Sequence, residues 1–230
     1  MFRIILWLAL IPSFLLIWLI YRVDKIEKEP IGLMIKLFIA GALTTIAASI
    51  LESIGLFAIG FVLPEVDWLY NLIFYFIVVG GSEELVKYFA LKKLTWNQEA
   101  FNFRFDGIVY AVAVSLGFAA AENFSYMLGM GVGVIGIRAI TAVPMHCITG
   151  IFMGHYYGEA RRLEDIGDPE RARNWRRLAV IVPLLLHGFY DFCASMESSF
   201  FSTLFLVYVI VIDIVSYRMV RHLAQNDIPA

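Results

Sequence analysis

The chain has 230 residues, of which 60% are hydrophobic and 17% charged, with a formal net charge of −2. Soluble domains carry about 45–50% apolar and about 25% charged residues, so this composition excludes an ordinary soluble enzyme. The apolar runs approach the roughly 20 residues a helix needs to cross hydrocarbon and lack the alternation of a membrane barrel. An all-α, polytopic transmembrane bundle is expected, with 1–230 as a single domain.

Hydropathy predicts seven spans: Ile4–Ile20, Ile31–Val62, Trp68–Leu91, Gly107–Leu128, Val132–Tyr157, Leu178–Ala194 and Phe200–Tyr217. The first has no small-residue cleavage site before the charged Tyr21–Glu29 stretch and reads as a span rather than a signal peptide. The second is too long for one straight crossing. Glu52, Gly55 and Gly60 suggest that it runs on into a tilted or interfacial piece.

Lys and Arg residues follow spans one, three, five and seven. The loops Leu63–Asp67, Gly129–Gly131 and Ser195–Ser199 carry none. The positive-inside rule then puts the N-terminus outside and the C-terminus in the cytoplasm of a cell membrane. Gly158–Arg177 reads as a solvated loop, and Cys147 and Cys193 read as small core residues.

Ionisable residues inside these apolar spans carry the functional signal, because a charge at bilayer depth costs at least ~2.5–3.5 kcal/mol. In span three, Glu83 and Lys87 are four apart and share a helical face, which favours an ion pair. Glu84 points about 100° away and needs another partner. Two adjacent carboxylates in a low-dielectric setting suit general acid or base work; a purely structural charge network is the plainer alternative. In span four, Phe118, Glu122 and Tyr126 share a face, and Asp106-Gly107 looks like a cap.

In span five, Arg138 and His146 share a face, and Pro144 is expected to kink the helix just before His146. In span six, His187 and Asp191 lie one turn apart, and Gly188 leaves room beside the imidazole. Two imidazoles and a carboxylate form a common catalytic zinc set, although no H-E-x-x-H is present. His155 reads as a satisfied core residue, and Glu52 and Asp213 as structurally paired.

The set Glu83-Glu84-x-x-Lys87, Phe118-x-x-x-Glu122-Asn123, His146 and His187-x-x-x-Asp191 resembles the PrsW family of intramembrane proteases. That family is distantly similar to the CAAX prenyl endopeptidases and the bacterial immunity-type (CPBP) membrane proteases. The motif-bearing core is about residues 68–195.

The resemblance implies an intramembrane endopeptidase acting on a single-span membrane protein, such as an anti-sigma factor cut at its first site. By the same resemblance, Glu83 and Glu84 match the family's paired catalytic glutamates, and His187 its essential histidine. Glu122 and His146 match the rest of the polar centre. The CAAX pattern has His where this chain has Glu122 and Asn where it has Asp191, so the site here is more acidic.

The reading drawn from this has Glu83 or Glu84 as the base. Glu122, His146 and His187 hold zinc, Asp191 orients His187, and Arg138 or Asn123 stabilises an oxyanion. A metal-free glutamate mechanism stays open. The rivals are a proton- or ion-coupled transporter, against which no inverted repeat is visible, and a non-catalytic membrane scaffold. The expected partners are lipid and a membrane-protein substrate, with no nucleic acid. The sequence does not address oligomeric state.

Overall fold

Seven helices long and apolar enough to cross a membrane run through the computed structural model, which describes residues 2–63 and 68–230. They are α1 (Phe2–Val23), α2 (Ile31–Gly60), α3 (Trp68–Thr95), α4 (Arg104–Met130), α5 (Ile135–Asp165), α6 (Pro169–Ser195) and α7 (Ser199–Gln225). No strand occurs among the described residues. All but the first residue of the expected loop Leu63–Asp67 lies outside them.

The buried share of each span sets the architecture. For α4 it is 89%, against 17%, 22% and 11% for α1, α2 and α7. The central helix is therefore α4, packed mainly against α5, α2 and α1. The outer helices show large apolar side chains such as Trp7, Phe57, Leu206 and Ile210, the surface that lipid covers.

Glycine permits the tight central contacts. A Cβ on Gly154 of α5 would lie 2.4 Å from the Gly107 carbonyl oxygen on α4, and one on Gly41 of α2 would lie 1.9 Å from that of Val114. Only helices stripped of side chains at these points can approach so closely, the usual device of membrane bundles.

The helices overrun the apolar spans. Gly158–Arg177 is not a loop: α5 continues to Asp165 and α6 begins at Pro169. Gly167, at φ +83, closes α5. Asp168 caps α6, accepting from the Arg171 amide at 3.1 Å, and Pro169 fills the first turn. Hydropathy missed these extensions because they are charged. Ion pairs among Arg161 and Asp165, Arg162 and Glu159, and Arg176 and Glu164 sustain them.

The extra length of the second span is also helix, since α2 is continuous over 30 residues. Cys147 and Cys193 are free and buried.

At the end of the bundle where α1 meets α2 and α3 meets α4, the C-terminal tail folds back. The Arg104 amide donates to the Ile228 carbonyl at 3.1 Å, and the Ala230 amide to that of Asn102 at 2.7 Å. The expected Asp106 cap is realised one turn in. Its carboxylate accepts from the Asn102 and Phe103 amides at 3.0 and 2.7 Å.

Candidate active site

Helices α3, α4, α5 and α6 bring the ionisable residues together through local departures from ideal helix. In α3, residues Phe74–Gly80 form a π-helical turn, a widening that recurs at functional sites. It abuts α6 at Gly188, where a Cβ would stand 2.7 Å from the Phe76 Cα. The small residue beside His187 therefore makes room for backbone of α3.

In α5, Pro144 lacks an N–H for the Ile140 carbonyl four residues back. The helix breaks there, between Ile140 and Ala142, earlier than the sequence suggested. Arg138 lies before the break and His146 after it, yet both face one cavity.

At the centre is Lys87, fully buried. Its ammonium donates to Glu83 Oε2 and Glu84 Oε1, each at 2.9 Å, and to His146 Nδ1 at 3.2 Å. It also lies 4.0 Å from the centre of the Phe118 ring. The second partner that Glu84 required is His187, whose Nδ1 is 2.8 Å from Oε1.

Hydrogen-bond logic fixes one tautomer. An ammonium only donates, so His146 Nδ1 accepts and its Nε2 carries the hydrogen. That Nε2 donates to Glu122 Oε2 at 2.8 Å. The other histidine is arranged alike: His187 Nε2 lies 3.3 Å from Asp191 Oδ2. Each imidazole thus has a carboxylate behind it and its Nδ1 turned toward Glu83, Glu84 and Lys87.

One ligand atom from each of Glu83, Glu84, His146 and His187 lies within 4.8 Å of the others. That spacing, with carboxylate and imidazole donors, fits a zinc shell built from bonds of about 2.0–2.2 Å. Glu84 Oε2 is buried without a hydrogen-bond partner, a lone pair left for an ion. Lys87 contacts three of these four side chains, Glu83, Glu84 and His146, so the pocket already balances its carboxylates with positive charge.

Glu122, which the sequence reading placed among the ligands, sits outside this four-donor group, between His146 and Arg138. The Arg138 guanidinium donates to Glu122 Oε2 at 2.8 Å and Asn123 Oδ1 at 2.7 Å, and lies 3.8 Å from the Tyr126 ring centre. Asn123 is 1% exposed, lines neither cavity described below and accepts from Arg138.

A cavity of about 300 Å³ opens on this cluster, lined by Glu83, Glu122, Arg138, His146, His187 and Asp191 among others. A groove of about 710 Å³ between α2 and α4 shares Glu52, Glu83, Glu122 and Tyr126 with it. Glu83 and Glu122, on different helices, meet at one cavity wall. Glu84 lines neither space.

Glu52 is the residue that sequence reasoning missed. The structural partner expected for it is not found: among the described residues it forms no ion pair, and it faces the cavity from α2. Asp213 likewise has no ion pair among the described residues and borders an apolar cleft with Pro144 and Cys147. The His155 ring packs between Tyr156 and Trp175, in keeping with a core role.

Comparison with known proteins follows the same lines. Residues 29–217 match the family model described as PrsW family intramembrane metalloprotease. Protease PrsW of Oceanobacillus iheyensis is 35% identical over 212 residues, 91% of this chain and 92% of that protein. Protease PrsW of Halalkalibacterium halodurans is 30% identical over 219 residues, 95% and 96% of the two chains. Protease PrsW of Bacillus subtilis is 33% identical over 190 residues, 82% and 81%. No solved structure matches the chain significantly.

Proposed function

The chain belongs to the PrsW family of intramembrane metalloproteases, and on that premise we propose that it cleaves a single-span membrane protein, such as an anti-sigma factor, at the Glu83–Glu84–His146–His187 cluster. The observation that carries this reading is the convergence of those four side chains, with Glu83, His146 and His187 at the wall of a cavity that shares Glu83 with a groove between helices. The whole chain, 1–230, acts as one protease domain.

Glu84, His146 and His187 are assigned as the residues that would hold zinc, with Glu83 beside them. Bound zinc would polarise the scissile carbonyl and acidify the attacking water. Glu122 on His146 and Asp191 on His187 fix the rings, as carboxylates behind metal-binding histidines do.

Glu83 is the better base of the pair because it reaches both the cavity and the groove, whereas Glu84 is sealed behind it. Its carboxylate takes the proton from water as oxygen attacks the carbonyl carbon. It then returns that proton to the leaving amide nitrogen as the C–N bond breaks. Arg138, charged and facing the cavity, offsets negative charge developing on the carbonyl oxygen.

The α2–α4 groove is the route by which a substrate segment reaches Glu83 from the side. The experiment is cleavage of a co-reconstituted single-span substrate by the parent chain and by Glu83→Gln. The reading expects a loss of about 10²–10⁴ in rate. Undiminished cleavage by the variant would remove Glu83 from the reaction.

A further inference from the structure

A second group of acids lies far from the peptidase centre. Asp24 and Glu29 belong to the segment joining α1 to α2, and Asp106 to the first turn of α4. Asp106 and Glu122 are sixteen residues apart on one helix, a separation of about 24 Å at 1.5 Å per residue. The three acids are 4%, 2% and 1% exposed, and one oxygen from each lies within 4.8 Å of the others.

A hydrogen bond between the Glu29 and Asp106 carboxyl groups answers only part of the charge. Glu29 Oε2 accepts from the Tyr110 hydroxyl, and Asp106 Oδ2 accepts from two amides. Glu29 Oε1 and Asp24 Oδ2 are buried with no partner at all. No Lys or Arg among the described residues pairs with any of the three. The nearby Lys28 ammonium turns instead to the backbone carbonyls of Tyr21 and Asp24.

Buried carboxylates are tolerated when they are paired or hold a metal. Here the donors are all oxygen, with no nitrogen or sulfur ligand among them. Such a set suits magnesium or calcium, bound at about 2.0–2.6 Å, rather than zinc.

We propose that Asp24, Glu29 and Asp106 form a binding site for a hard divalent cation of the magnesium–calcium class. The ion would clamp the α1–α2 connection to the start of α4. The C-terminal tail docks at the same place, where Asp227 accepts from the Phe105 amide at 3.0 Å. The site is structural and separate from the peptidase centre.

The test is thermal unfolding of detergent-purified protein, stripped with chelator and titrated with magnesium chloride or calcium chloride. Potassium chloride at matched ionic strength is the control. A saturable rise of about 5 °C or more at a hundredfold excess over Kd is expected. Glu29→Gln should lose that rise, and its stripped form should be no less stable than the stripped parent, because a repelling charge is gone. Asp24→Asn serves if Glu29→Gln fails to fold. The rise should persist in a Glu83→Gln, Glu84→Gln double variant.

A flat response to both metals would overturn the proposal. So would a rise retained in Glu29→Gln or lost in the double variant. Stability that climbs as pH falls, with no response to metal, would mean that a shared proton neutralises the cluster, and would overturn it as well.

Discussion

Lys87 is the most consequential single residue outside the proposed reaction. It neutralises two buried carboxylates and also holds His146 in one tautomer. Replacing it with methionine keeps the volume but leaves Glu83 and Glu84 uncompensated, a loss on the order of 3–5 kcal/mol. The variant should unfold at lower temperature in chelator and regain stability with added zinc, because the ion takes over the vacated donors. Unfolding in the presence and absence of zinc checks this; zinc-independent stability equal to the parent would contradict it.

The second residue-scale expectation separates ligand from orienting carboxylate. His146→Ala should abolish cleavage, whereas Glu122→Gln, which can still accept from His146 Nε2, should lose about 10–100-fold in metal affinity or activity. Zinc binding and cleavage rate report this together, and equal losses in the two variants would put Glu122 back among the ligands. His187→Ala and Glu84→Gln should remove cleavage while the protein stays in the membrane.

Much of this centre was legible because helical spacing is a local rule. Glu83 with Lys87 and His187 with Asp191 are four apart, and both pairs meet. The rest depended on packing between helices. Nothing local says that Glu84 reaches His187 across 103 residues, that Glu122 takes the outer nitrogen of His146, or that Glu52 on α2 turns toward the same cavity.

At the scale of the element, the number and order of spans followed from hydropathy, and the helix ends did not. Apolar length marks where lipid is, whereas α5 and α6 continue as charged helix held by their own ion pairs. The break in α5 also moved, from just before His146 to Thr141, because the carbonyl orphaned by Pro144 is four residues upstream of it.

Close approach is the other element-scale constraint, and Gly188 tests it. A methyl group there meets the backbone of Phe76, so α3 and α6 must separate beside His187. Gly188→Ala should therefore reduce cleavage at least tenfold, since a misplacement of about 1 Å is enough to cost on the order of 10² in rate. Its zinc affinity should fall as well. Parent-like rates would show that the contact is slack.

For the whole molecule, the segments joining α1 to α2 and α3 to α4 share one end with the C-terminal tail. The basic residues follow the odd-numbered spans, so this end is proposed to be cytoplasmic. Single cysteines placed at Arg171 and Glu197, with the native Cys147 and Cys193 buried, report the orientation. An impermeant thiol reagent added to intact cells should label Glu197→Cys and spare Arg171→Cys. The reverse pattern would invert the topology.

A buried glutamate and histidine cluster is proposed to cut a membrane-protein substrate with the help of a metal ion. The most direct measurement is the cleavage rate of a co-reconstituted single-span substrate after chelation and after zinc is restored, in the parent and in Glu83→Gln. Chelation should silence the parent, zinc should revive it, and Glu83→Gln should stay silent in both conditions. Cleavage that continues unchanged through chelation, or that Glu83→Gln performs as well as the parent, would contradict that proposal.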